Sequence, residues 1–281
     1  MTDLRLLWDA LERSPACLVR VESTEGSVPR EAGAWMAVLA DGRIVGTIGG
    51  GHLELQAIAE ARRRLAGVPG PARPQASLRF ALGPTLGQCC GGVVHLGFEC
   101  ITAADRAPAA GLAQRLAPRQ HPVALFGGGH VGHALARALA PLPFALTWLD
   151  SRDGVFPQPA PDGVACEHSD PVQQAVPGLA PGSRVLIMSF SHAEDLDVVA
   201  ACLRRQREQG DLPFIGLIGS RTKWATFQRR LRGRGFAQAE LDHITCPIGV
   251  PGITGKEPAV IAVAVAAQLL MTLEAAAPGS G

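Results

Sequence analysis

Apolar positions change period along the first half of the chain, and each change marks a new element. Leu4, Leu7, Trp8 and Leu11 recur at helical spacing, and Pro15 ends that helix before an apolar strand at Leu18–Val21. Ser23–Gly33 is turn-rich. Trp35–Ala40 and Arg43–Thr47 read as two strands joined by the two-residue turn Asp41-Gly42. Leu53, Ala57, Ala61 and Leu65 then share one helical face, opened by the turn Ile48-Gly49-Gly50-Gly51-His52. Leu78–Leu82 and Val93–Phe98 are expected as strands on either side of a glycine-rich loop.

The second half reads differently. Val123–Phe126, Phe144–Leu149, Val185–Met188 and Pro213–Ile218 are continuous apolar runs, as strands covered on both faces should be. A long helix is expected after Gly132 as far as Ala140, others at Glu194–Gln209 and Arg221–Arg232 with Ser220 as N-cap, and an apolar one at Ala259–Leu273. Alternating strands and helices predict a parallel, doubly wound sheet. The expected fold is therefore α/β: an N-terminal α/β domain at 1–105, an Ala/Pro/Arg-rich linker at 106–120 with a short helix at Leu112–Leu116, and a Rossmann-like domain at 121–281.

Charge and cysteine usage narrow the functional classes. The 281 residues carry 26 basic and 25 acidic side chains, which leaves no electrostatic footprint for nucleic acid or an anionic membrane. Seven scattered cysteines do not suit a disulfide scaffold, so a reducing, cytoplasmic location is expected. The first residues lack the apolar core of a secretory signal. Gln268 and Thr272 interrupt Ala259–Leu273, which is shorter than a membrane span and is expected as a buried helix.

Gly127, Gly129 and Gly132 form Gly-x-Gly-x-x-Gly between an apolar strand and a helix, and Asp150 ends the next apolar run. In dinucleotide-binding folds these glycines allow a tight turn, close approach of a phosphate and close helix packing, while the acid meets a ribose hydroxyl. Glycines that merely allow packing are the alternative. The Gly49–Gly51 turn could supply an amide nest for an anion. Cys89 and Cys90 lack the spacing of a zinc site. They read either as accessible thiolates able to meet a soft metal or a persulfide, or as small apolar residues in a turn. Ser191-His192 with Glu194 and Asp195 lacks the nucleophile elbow of a triad, leaving His192 as a hydrogen-bond donor or as part of a helix start. His130 is expected to line the glycine turn and His133 to lie on the helix surface. Arg221 and Lys223 could favour a phosphate, or be solvated helix charges. Gly255-Lys256 fails the phosphate-loop pattern.

Several stretches together resemble the XdhC/CoxI family of xanthine dehydrogenase accessory proteins. They are Gly26-Ser27-Val28-Pro29-Arg30, Gly46–Glu54, Gly87-Gln88-Cys89-Cys90-Gly91-Gly92, Phe126–Gly132, Ser191-His192 with Asp195, Ile218–Arg221 with Lys223, and Cys246-Pro247-Ile248-Gly249. The resemblance implies a cytoplasmic chaperone, without turnover of its own, that binds the molybdenum cofactor (molybdopterin). It would shield the cofactor while a cysteine desulfurase installs its sulfido ligand and deliver it to apo xanthine dehydrogenase. The cofactor phosphate is then expected at Gly49, Gly50 and Gly51 or at Gly127, Gly129, His130 and Gly132, and molybdenum at Cys89 and Cys90. Gln88 and Gly91 flank those thiols, and Asp150, His192 and Arg221 complete the expected binding set. A nucleotide at the Rossmann turn, and with it an NAD(P)-dependent oxidoreductase, is the competing expectation. A homodimer would suit the sheltering of a labile cofactor.

Overall fold

The alternation of β1 (Ala16–Glu25) explains the architecture of the N-terminal unit. Cys17, Val19 and Val21 point to one side of the sheet, where they pack with Leu53, Ala57 and Ala61 of helix α2 (Gly51–Ala66). Ala16 and Leu18 point to the other, where they meet Leu7 and Leu11 of helix α1 (Thr2–Leu11) and Leu112 and Leu116 of helix α3 (Leu112–Leu116). Both faces of the strand are buried, as a period of two requires when helices cover both sides. The computed structural model describes residues 2–67, 76–82, 91–107 and 111–274.

Two further strands, β2 (Trp35–Leu39) and β3 (Ile44–Gly46), form the expected hairpin, and β4 (Ala76–Ala81) and β5 (Val93–Ile101) complete an antiparallel sheet in the order β3-β2-β1-β5-β4. β1 runs past Val21, into the stretch expected to be turns. A register shift between Val21 and Ser23 lets Ser23–Glu25 keep pairing with Val93–His95, so a bulge carries the strand onward. The chain divides into units at 1–118 and 119–281. α3 belongs to the first: Leu112 and Leu116 are buried there, and the Trp35 indole donates to the Leu116 carbonyl (3.1 Å).

The C-terminal unit is a parallel sheet of β6 (His121–Phe126), β7 (Phe144–Asp150), β8 (Val164–His168), β9 (Arg184–Ile187), β10 (Phe214–Leu217) and β11 (Ile244–Thr245). Its order is β11-β10-β9-β6-β7-β8, with every pair parallel. Sequence order therefore turns back between β6 and β9, the switch point outside which open α/β sheets bind ligands. One face packs on α5 (His192–Gln209) and α6 (Arg221–Gly233), burying Phe126, Val185, Ile187 and Leu217. The other packs on α4 (His130–Leu139) and α8 (Pro258–Glu274), burying Val123, Leu125, Trp148 and Leu186. A short helix, α7 (Gln238–Leu241), precedes β11. Among the described residues no helix is long and apolar enough to cross a membrane.

Candidate functional site

Of the three Gly-x-Gly-x-x-Gly glycines after β6, two are required by the protein's own packing and one is not; Gly128 between them is also hemmed in, by Val155. Gly127 has φ +126°, and a Cβ there would strike the Met188 carbonyl; a Cβ on Gly132 would strike the carbonyl of Gly127. That carbonyl also accepts the indole N–H of Trp148 at 2.9 Å, and Trp148 packs edge-on against His133 and Phe156. His133, expected on the helix surface, is half-buried against this indole instead. Gly129 has an ordinary φ of −81°, is exposed, and would bring a Cβ within 4 Å of nothing. As the N-cap of α4 it gives no side-chain hydrogen bond to the first-turn amides, which have no acceptor within the helix. His130, the first residue of α4, is exposed beside it.

Asp150 ends β7 and is 2% exposed. Its Oδ2 accepts the Gly128 amide at 2.5 Å and Arg152 Nη2 at 2.9 Å; its Oδ1 accepts the Arg152 amide and Nε, both at 2.9 Å. A carboxylate has about four acceptor positions, and these four bonds occupy them. Asp150 therefore secures the glycine turn and Arg152, and the acceptor expected for a ribose hydroxyl is already engaged. Burial pushes its carboxyl up, but the Arg152 hydrogen bonds and the two amides prevail and hold it below the usual aspartate value.

Across the switch point, Ser191 caps α5 by accepting the Glu194 amide (3.2 Å), and Ser220 caps α6 by accepting the Lys223 amide (3.2 Å). The Lys223 ammonium is not available to a phosphate in solvent. It donates to Asp195 Oδ2 (2.6 Å) and to the Ile218 carbonyl (2.9 Å), while Asp195 Oδ1 accepts the Ser189 amide (2.7 Å). His192 begins α5, exposed, with its ring edge-on to Phe227; Asp195 and Glu194 are engaged elsewhere, so no triad forms. Arg221 begins α6 and is exposed. Burial pushes the Cys246 thiol up to about 11 despite the neighbouring Lys223 charge.

The N-terminal unit brings three motif stretches together. A Cβ on Gly49 would press into Pro29 (2.6 Å) and Arg30 (3.2 Å), and one on Gly92 would strike the Ser27 and Glu25 carbonyls. Gly26–Arg30 thus touches both the Gly46–Glu54 stretch and the end of the cysteine loop. The nest expected at Gly49–Gly51 already has an anion, because Glu54 Oε2 accepts the Thr47 hydroxyl (2.6 Å), the Ile48 amide (3.1 Å) and the Gly50 amide (3.0 Å). The Gly49 amide donates to the Thr47 hydroxyl (3.1 Å). Gln88, Cys89 and Cys90 lie outside the described residues, and Gly91 is exposed just after them. Among the described residues no three His, Cys, Asp or Glu side chains are placed to hold a metal ion.

Arg152 and Phe190 are not singled out by the sequence patterns, and Glu54 enters only as the last residue of the Gly46–Glu54 stretch. An arginine two positions after the strand-end acid, and an aromatic just past an apolar strand, were the available signals for the first two.

Comparison with known proteins agrees with this architecture. A family model for the XdhC Rossmann domain matches residues 123–269, and one for the XdhC and CoxI family matches residues 10–73. The chain is 28% identical over 260 residues to the uncharacterized protein YqeB of Escherichia coli (strain K12), covering 92% of this chain and 44% of that protein, so it spans less than half the relative's length. A crystal structure described as a xanthine dehydrogenase from Bacillus halodurans matches with a TM-score of 0.73 at 19% identity, covering 100% of this chain and 98% of that one, a likeness of fold. With one model spanning the Rossmann unit and a second spanning much of the N-terminal unit, the chain belongs to the XdhC and CoxI family.

Proposed function

We propose that this protein is a cytoplasmic accessory factor that carries the molybdenum cofactor. It shelters the cofactor while a cysteine desulfurase supplies the terminal sulfido ligand, then hands it to apo xanthine dehydrogenase. Family membership supports the reading, and the observation that carries its ligand-binding half is Gly129. Neither backbone angle nor packing demands glycine there, and the space it leaves open adjoins the N-terminus of α4 at the switch point. The phosphate of the pterin is the group we assign to that space, beside Gly127, His130 and Gly132. To the thiols of Cys89 and Cys90, flanked by Gln88 and Gly91, we assign the contact with molybdenum and its sulfur.

The role is carriage and handover, without turnover. An NAD-dependent oxidoreductase would need an acceptor for the free adenosine ribose diol, and the Asp150 oxygens that would serve are engaged. The direct test is activation of apo xanthine dehydrogenase by purified cofactor and desulfurase, with and without this chain. Activation should rise with the chain and fall when Gly129→Val or the Cys89→Ala/Cys90→Ala pair replaces it. Equal activation with all of these would refute the carrier reading.

A further inference from the structure

The loops that leave β7 and β9 are joined by a cation–π contact on the rim of the switch point. Arg152 is clasped along one edge by Asp150, and its guanidinium carbon lies 4.5 Å from the centre of the Phe190 ring. Phe190 is 65% exposed, although a ring of this size gains most by burial. Glu194 holds the arrangement in register, accepting the Ser151 hydroxyl (2.7 Å) on one oxygen and the Phe190 amide (3.2 Å) on the other. The guanidinium uses Nε and Nη2 on Asp150, and its Nη1 donors have no hydrogen bond among the described residues.

Each part of this corner bears on the chemistry of a ligand. A guanidinium plane over an aromatic ring is a stacking surface for a flat heterocycle. Arginine donors left over from a carboxylate suit a phosphate. A carboxylate whose acceptor positions are filled gives nothing to a ribose diol unless it gives up Gly128 or Arg152.

We propose that Arg152 and Phe190 form the recognition corner for one phosphorylated planar heterocycle, with no selection for a free ribose diol. The inference rests on the reading that the switch point is the ligand site, and it names the ligand chemistry there. A phosphorylated pterin and a 2′-phosphorylated adenine nucleotide share that chemistry.

Calorimetric titration of the full chain separates the cases, with 6-hydroxymethylpterin phosphate, NADP⁺, NAD⁺ and inorganic phosphate as probes. At least one of the first two should bind tenfold or more tightly than inorganic phosphate, and NADP⁺, where it binds, more tightly than NAD⁺. Phe190→Ala should weaken the heterocycle by roughly ten- to a hundredfold, the size of one base–aromatic stack. Phe190→Tyr, which keeps the ring, should bind as the parent does, and Arg152→Ala should narrow the gap between NADP⁺ and NAD⁺. Thermal melts of each variant report folding. Unchanged binding in Phe190→Ala, NAD⁺ binding as tight as NADP⁺, or no binding of any probe would overturn the proposal. NADP⁺ bound through these residues with no pterin bound would uphold the corner and count against the molybdenum carrier. Pterin bound equally by parent, Phe190→Ala and Arg152→Ala would uphold the carrier and overturn the corner.

Discussion

The Lys223 ammonium donates to Asp195 Oδ2 across 2.6 Å, with side chains only 12% and 3% exposed, and so locks the first turn of α6 to the first turn of α5. Removing one member of a buried pair leaves the other charge uncompensated, at a cost of about 3–5 kcal/mol. Lys223→Met should therefore destabilise the protein by that amount in urea unfolding, and the double variant Lys223→Met/Asp195→Leu should recover part of it. A single variant as stable as the parent would show that the pair contributes little.

Gly127, Gly129 and Gly132 of the Rossmann turn should separate stability from binding. Gly127→Ala and Gly132→Ala each drive a Cβ into a backbone carbonyl and should cost about 1–3 kcal/mol or more. Gly129→Ala meets no protein atom and should cost about 1 kcal/mol or less, the scale of an N-cap change. Its effect should appear as weakened cofactor binding. A Gly129→Ala protein that melts with the parent and binds as the parent does would leave that glycine without a role.

Glu54 is the anion of its own turn. Glu54→Ala should leave the Ile48 and Gly50 amides without their acceptor, at about 1–3 kcal/mol if they stay unsatisfied. Amide hydrogen exchange should quicken at those two positions first. Unchanged protection there would mean that the carboxylate does not hold the turn.

The Asp150 carboxyl has a folded pKa below its ordinary 3.8, so its ionised form is favoured in the native state. The stability it contributes is full above about pH 4 and is lost as pH falls through the lower, folded value. Asp150→Asn should cost about 2 kcal/mol at pH 7, the scale of hydrogen bonds to a charged group, and the gap should narrow below pH 4. Urea midpoints at pH 7 and pH 3 check the sign. A gap that widens in acid would contradict it.

How far the sequence discloses this protein depends on how local each feature is. β6, β7, β9 and β10 are legible because strands covered on both faces must be apolar at consecutive positions. β8 is not, because at the edge of the sheet only Val164 and Cys166 pack inward. The Gly127–Gly132 turn is legible from spacing, but which glycine serves packing and which serves a ligand depends on Met188, far along the chain. Lys223 reads as a surface charge until Asp195, twenty-eight positions earlier, is brought against it. Glu54 reads as an ordinary acid in the first turn of a helix, and only the fold of the preceding glycines brings amides onto one of its oxygens.

The most direct measurement is the molybdenum, oxidised-pterin and nicotinamide-nucleotide content of the full chain purified from a host able to make the cofactor, alongside Gly129→Val. Molybdenum and pterin in equal amounts on the parent, and neither on the variant, is the result expected of a carrier. Nucleotide in place of both would contradict it.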